Sequence, residues 1–348
     1  MTLQHVAALA EVTKVTVSRF LREPAVVAET TATRIREAIA QTGYVPNRQA
    51  GQLASGRSRI VAALLPNLAH SIFAETVQGL ADRLQEGGHE LMLASTGYSI
   101  EREEDQLRAV LGWAPAGIVV TGRRHTQATL ELMHQARVAG TPMVEIWDYH
   151  PEAMVADGVA QVGFDHAEVG RAMAQHLLGL GHQRLMYVDS GVAEDFRAHE
   201  RGAAFAAAVK VAGARARIVR AIGGDAFDAG RQIVANLHAK GQSRVTALAF
   251  ANDQLACGAL LEARATGLNV PGDLALLGFG DFPIGRQLSP ALSTVRPPRY
   301  EIGYAAAAAL LHALATGEQI THRKLEWELI ARGSTAAAPV NRPRSSRR

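Results

Sequence analysis

The chain has 348 residues, 48% of them apolar, and carries 36 Lys/Arg against 33 Asp/Glu for a net charge of +3. That length exceeds one ordinary core, so two or three domains are expected. No apolar run reaches the roughly 18–20 residues of a membrane helix, no apolar leader is visible, and the lone Cys257 gives no disulfide framework. The expectation is a cytoplasmic chain that meets no membrane.

The chain opens on two short helical patterns. Leu3, Val6, Ala7 and Ala10 form one apolar stripe, and Val17, Phe20 and Leu21 form a second. Between them lies Glu11-Val12-Thr13, with Thr13 placed to cap the second helix. The outward stripe of that helix is Val15, Ser18, Arg19 and Arg22, with Lys14 beside it. Short polar and cationic side chains on a helix with a buried back suit a DNA major groove. A helical hairpin with a solvated basic face is the plainer alternative. Pro24 breaks the helix, and a third is readable from Thr31 to Gln41, ended by Gly43. Three short helices around a small apolar centre make an all-α helix-turn-helix head. Residues 1–59 hold eight Lys/Arg against four acids, whereas residues 60–338 carry a net −5. A basic head on an acidic body suits a head that touches a polyanion.

The next stretch, GYVPNRQAGQLASG, offers Asn47 as a cap and Gly56 as a stop. The helix between would be about two turns long, too weak to stand alone in water. It reads as a segment that folds on contact, or as an ordinary linker. Together, TLQHVA, VTKVTVSR and GYVPNRQAGQLASG resemble the LacI/GalR family of bacterial transcription regulators. The resemblance implies that Lys14, Val15, Ser18 and Arg19 read bases. It implies that Asn47 and Arg48 contact the backbone, and that Leu53, beside Ala50, wedges into the minor groove. With Thr13, Thr16, Arg22 and Tyr44 these form the candidate DNA-binding set. Two residues depart from the family pattern. Glu11 stands where glycine is usual, which predicts a strained turn, and His5 replaces an acid, which predicts a weakened capping box.

From Arg59 onward, apolar runs alternate with helical patterns. The runs are Ile60–Leu65, Leu91–Ala94, Gly117–Val120, Met143–Ile146, Val159–Gly163, Leu185–Val188, Thr246–Phe250 and Leu274–Phe279. Helices are predicted over Glu75–Glu86, Glu103–Leu111, Leu130–Val138, Val169–Leu178, Ala203–Val211, Ala229–His238 and Leu255–Ala265. This alternation predicts an α/β body of two doubly wound parallel-sheet lobes with a ligand cleft between them. The motifs PNLAHSIFAETVQGL, ANDQLACGALLEA, VPGDLALLGFGDF and LSPALSTVRPP resemble the family's periplasmic-binding-protein-like core. That resemblance implies a helix-turn-helix domain at 1–45, a hinge at 46–58 and an effector and dimerisation domain at 59–338. It sets one lobe at 60–161 plus 290–323 and the other at 162–289 plus 324–338, and leaves 339–348 as a disordered basic tail. Within the family, EIWD and GFGDF are most similar to gluconate-operon repressors.

Arg197 and Arg201 lie four apart at the start of a helical segment. Two guanidinium forks there would select an anionic ligand, although a solvated helix face shows the same spacing. The resemblance adds Ser71 and Phe73 as cleft-lining residues. It makes Asp253 and Asp281 acceptors of sugar hydroxyls, with helix capping as the alternative. There is no HExxH, CxxC, GxxxxGK[ST] or GxSxG pattern, so an enzyme is not expected, nor a metal or cofactor. The implied protein is a homodimeric repressor that binds a palindromic operator and is released by a small effector, most readily a sugar acid such as gluconate. A neutral sugar or nucleobase effector, and a sugar-binding protein that never meets DNA, are the alternatives. Leu53→Ala is expected to spare folding yet weaken specific operator binding in a gel shift; unchanged affinity would remove the wedge.

Overall fold

The computed structural model describes residues 1–45, 58–68, 71–150, 158–239 and 245–335. The hinge stretch with Asn47, Arg48, Ala50 and Leu53, and the tail 339–348, lie outside the described residues. The chain divides into two units, Met1–Ser58 and Arg59–Arg348.

The first unit is a three-helix head: α1 (Leu3–Leu9), α2 (Lys14–Arg22) and α3 (Glu29–Thr42). Its core is Val6, Ala7, Ala10, Val17, Phe20, Ala32, Ile35 and Ala38. The third helix starts two residues earlier than its apolar face suggests, and Gly43, at φ 59°, ends it in the left-handed conformation. Glu11 has φ 53°, so the predicted turn strain is present, on the order of 1 kcal/mol for a side chain in that region. The capping box is present, with an imidazole nitrogen in place of the carboxylate: the Thr2 N–H donates to His5 Nδ1 at 3.1 Å.

The second unit carries two six-stranded sheets. One contains β1 (Ile60–Leu65), β2 (Glu90–Ser95), β3 (Gly117–Thr121), β4 (Met143–Ile146), β5 (Ala160–Gly163) and β11 (Arg323–Lys324). Its order is β11-β5-β4-β3-β1-β2, all parallel. The other contains β6 (Arg184–Asp189), β7 (Arg215–Arg220), β8 (Ala247–Phe250), β9 (Ala275–Phe279), β10 (Ser293–Arg296) and β12 (Glu328–Ile330), in the order β12-β10-β9-β8-β6-β7. Only β12 runs antiparallel to its neighbour. Continuous apolar runs follow from coverage on both faces. In β1, Val61, Ala63 and Leu65 enter one core with Leu80 and Ile302, while Ala62 and Leu64 enter another with Leu107 and Met133.

The expected lobe boundary at residue 290 is corrected. Residues 293–295 hydrogen-bond in register with Leu277–Phe279 of β9, so this strand belongs to the second sheet and the chain crosses over only after Arg296. The sequence reading also lacked β7, whose alternation RARIVR is that of an exposed edge strand rather than a buried run. It lacked α12 (Arg299–Thr316) as well, an alanine-rich helix without a marked amphipathic period.

The remaining helices are α4 (Ala74–Glu86), α5 (Ile100–Leu111), α6 (Gln127–Val138), α7 (His166–Gly179), α8 (Phe196–Val211), α9 (Ala226–Ala239), α10 (Asp253–Ala265) and α11 (Pro283–Gln287). Several begin two to seven residues before their apolar periodicity does, because polar side chains cap them: Ser99, Thr126, Asp165, Asp195 and Asn252 each accept a backbone N–H. Helix pairs meet through glycine. A Cβ on Gly303 of α12 would lie 2.0 Å from Thr76 O of α4, and one on Gly79 would lie 2.2 Å from Tyr300 O. Gly303→Ala is therefore expected to lower stability by about 1–3 kcal/mol in urea unfolding. Gly224→Ala, with nothing within 4 Å, is the matched control.

Candidate DNA-reading face and ligand cleft

In the head, Thr13 Oγ1 accepts the Thr16 N–H at 3.2 Å and lies 2.9 Å from Thr16 Oγ1, so both hydroxyls serve the cap. Val17 and Phe20 bury the back of α2 and turn Lys14, Val15, Arg19 and Arg22 to solvent. Val15 is 67% exposed. Ser18 is half-buried. Lys14, Arg19 and Arg22 have no ion pair among the described residues, while Arg34 and Arg36 are paired with Glu11 and Glu29. Tyr44 packs against the head core.

In the body, two cavities adjoin between the sheets and share Tyr98 and Arg197. The inner one, about 490 Å³, has aromatic walls: Phe73, Tyr98 and Trp147 from the first lobe, Phe279 and Phe282 from the second. Its polar groups are Asp195, Arg197, Arg201, His166, Asn252 and Gln254. Trp147, at φ 73°, is held by its Nε1–H, which donates to Thr76 Oγ1 at 3.2 Å, and by an edge-on contact with Phe73.

Arg201 is the centre of this cavity. It is 4% exposed, and its guanidinium lies 3.9 Å from the Phe279 ring centroid. Nη1 donates to His166 Nδ1 at 2.9 Å and Nη2 to Ala251 O at 3.0 Å. His166 Nε2 then donates to Trp147 O at 2.8 Å, which links the two lobes. Burial, and then the charges of Arg201 and Arg197, hold the His166 ring far below its usual pKa, so it is neutral. No carboxylate lies within ion-pair distance of Arg201 among the described residues, and its Nε–H has no acceptor there. A buried cation without a counter-ion is costly unless something anionic arrives.

The outer cavity, about 470 Å³, is of mixed charge: Arg123, Arg124 and Arg197 face Glu103, Asp148, Glu194 and Glu200. Arg123 Nη2 reaches both Glu200 oxygens, at 3.1 and 3.2 Å, across the lobes. Arg197 Nη1 lies 3.8 Å from Asp148 Oδ2. Behind the wall, His125 is flanked by Glu103 and Glu145. Burial opposes its charge, but the two carboxylates hold its pKa at about 10.

Of the expected cleft residues, Phe73, Arg197 and Arg201 line the inner cavity; the side chain of Ser71 lies outside the described residues. Asp253 and Asp281 are corrected. Both are fully buried and line neither cavity. Asp253 accepts from Thr294 Oγ1 at 2.6 Å and from the Phe282 N–H at 2.8 Å, tying α10 to β10; Asn252 supplies the helix cap. Asp281, at φ 51°, is clamped by Arg286, Arg296 and Arg332. Burial works against its ionisation, yet the three arginines bring its pKa to about 2. Each carboxylate is buried and bound to protein groups away from both cavities, where a ligand hydroxyl would not reach it. Sequence reasoning did not single out Tyr98, Arg123, Asp148, His166, Glu200 or Asn252. All but Tyr98 stand just after a strand or in the first two turns or cap of a helix, and the polar residues ahead of the apolar period were the available signal.

A helix-turn-helix head followed by a two-lobed body of parallel sheets defines a ligand-responsive DNA-binding protein of the periplasmic-binding-protein type. Residues 2–47 match the model "Bacterial regulatory proteins, lacI family", and residues 174–335 match "Periplasmic binding protein-like domain". The chain is 38% identical over 346 residues to the HTH-type transcriptional regulator GntR of Pseudomonas aeruginosa, covering 96% of this chain and 95% of that protein. It is 33% identical over 324 residues to GntR of Escherichia coli K12, covering 93% and 95%. A LacI-family transcriptional regulator of Silicibacter pomeroyi superposes with a TM-score of 0.87 at 30% identity, over 96% of this chain and 99% of that one. The chain belongs to the LacI family of transcriptional regulators. It is a DNA-binding regulator and not an enzyme, similar over nearly its whole length to the GntR proteins.

Proposed function

We propose that this regulator is a homodimeric repressor of a sugar-acid catabolic operon, released from a palindromic operator by gluconate or a related sugar acid. The observation that carries the effector class is Arg201: a buried guanidinium in an aromatic-walled cavity with no carboxylate partner among the described residues. A ligand carboxylate supplies the missing charge, with Arg197 beside it, while Asn252, Gln254 and Asp195 offer partners to hydroxyls. EIWD and GFGDF, the segments that resemble gluconate-operon repressors, contribute Trp147 and Phe279 to the cavity. A ligand that touches both lobes favours one arrangement of the lobes, and that arrangement sets whether the two hinges of a dimer can pair on DNA.

On the DNA side, Lys14, Val15, Ser18, Arg19 and Arg22 form the reading face, with Thr13 and Thr16 holding its first turn and Tyr44 its base. Asn47, Arg48, Ala50 and Leu53 act as the hinge that enters the minor groove. A symmetric dimer places two such faces on two half-sites. These cations contact phosphates and bases, so affinity should fall steeply with salt.

Calorimetry of the purified chain against gluconate, glucose and adenine tests the effector: gluconate should bind, and binding of glucose or adenine alone would overturn the reading. Arg197→Ala should cost about 1.5–3 kcal/mol of gluconate affinity and abolish release in a gel shift, with operator binding kept. Arg19→Ala should lower operator affinity by roughly 1–3 kcal/mol and relax specificity at one base pair, scored against a set of point-substituted operators.

A further inference from the structure

A carboxylate already stands beside the arginine that the proposed ligand must use. Asp148 follows β4 and is 4% exposed. It lines the outer cavity, while Arg197 lines both. Its Oδ2 lies 3.8 Å from Arg197 Nη1, and its Oδ1 lies 3.8 Å from Arg123 Nε. Neither contact is a hydrogen bond, and Arg123 is committed to Glu200 at shorter range.

The pair is packed against bare backbone. Gly122 has φ +94°, and a Cβ there would lie 2.7 Å from Arg197 Nη1 and 3.4 Å from Asp148 Oδ2. A Cβ on Gly163 would lie 2.6 Å from the Asp148 nitrogen. Asp148 is therefore wedged in place and has little room to withdraw. The other charges acting on it are Glu200 from α8 and Glu145 from β4. Glu145 is occupied by His125 and by Gln161 Nε2.

A ligand carboxylate at Arg197 and Arg201 brings a second negative charge to the guanidinium that Asp148 holds. Two carboxylates at one cation in a desolvated cleft cannot both stay ionised cheaply. We propose that an anionic ligand enters this cleft together with one proton, which Asp148 takes up, so that Asp148 links effector affinity to pH. This rests on the sugar-acid reading above. Burial has already pushed the Asp148 carboxyl up to about 6, against the pull of Arg197 and Arg123, so protonation near neutral pH is a small further step. Tyr98, Glu103, Glu194, Asp195 and Glu200 also line the two cavities, and His166 is the titratable group set against Arg201. Its Nδ1 accepts from Arg201, so a proton there would break that bond and set two cations face to face.

The sign follows from linkage. Below about pH 6 the free site already has Asp148 protonated, and affinity is full; above it, binding must draw a proton from solution, and affinity falls by up to about tenfold per pH unit. Calorimetry of gluconate binding to the full chain at neutral pH, in buffers of different ionisation enthalpy, should show uptake of up to one proton per ligand. Dissociation constants taken from about pH 5.5 to 8 should weaken on the alkaline side. Asp148→Asn, which mimics the protonated form, should flatten that profile and bind gluconate at pH 8 as tightly as the natural chain does at low pH. Buffer-independent enthalpy with a flat profile in the natural chain, or proton uptake that persists in Asp148→Asn, overturns the proposal while leaving the sugar-acid reading intact. No gluconate binding at any pH overturns both. The natural-chain measurement decides the matter even if the variant fails to fold.

Discussion

The body is organised around one buried guanidinium. Arg201 lies inside a wall of aromatic rings, where a charge is expensive unless its hydrogen bonds are met. His166 and Ala251 meet two of them, and the Phe279 face takes the cation from one side. That arrangement dictates its surroundings. His166 must be the neutral tautomer with its proton on Nε2, which is then free to donate to Trp147 O in the other lobe. The backbone at Arg201 must also lie close to α7, and Gly170 allows it: a Cβ there would sit 2.2 Å from Arg201 O. One side chain thus joins the inner cavity to the seam between the lobes.

Charge is distributed so that the two cavities differ. The inner one is apolar and carries excess positive charge, which suits the acid end of a ligand. The outer one balances arginines with carboxylates and adds Thr96, Ser99 and Thr121, a surface suited to a polyol. The ion pairs between lobes, Arg123 with Glu200 and Arg197 with Asp148, lie in or beside these walls. A ligand that competes for Arg197 alters a contact that also holds the lobes together, and this is the differential interaction that a population shift requires. The head needs no such poise. Its candidate reading face is presented by a core of eight residues, and among the described residues Lys14, Arg19 and Arg22 form no ion pair, while Glu11 and Glu29 are taken by Arg34 and Arg36.

Much of this was legible in the chain itself. Buried parallel strands announce themselves as apolar runs because both faces are covered, so β1 and β4 appear at their observed bounds. The head was legible through the stripes of α1 and α2 and the Thr13 cap. Arg197 and Arg201 were legible through their spacing.

What the sequence alone determined, then, is most of the buried strands and the helices between them, the head with its exposed cations, and the arginine pair, since each depends on residues within one or two helical turns. The tertiary structure decided which carboxylates were spent. Asp253 and Asp281 look available in their motifs, but residues 41 and 51 positions downstream, Thr294 and Arg332, consume them. It likewise decided that β10 joins the second sheet, that Glu200 meets Arg123 across 77 residues, and that Asp148 stands beside Arg197 of the inner cavity. Hydrogen bonds and ion pairs are satisfied in space, by partners whose sequence separation no local pattern encodes.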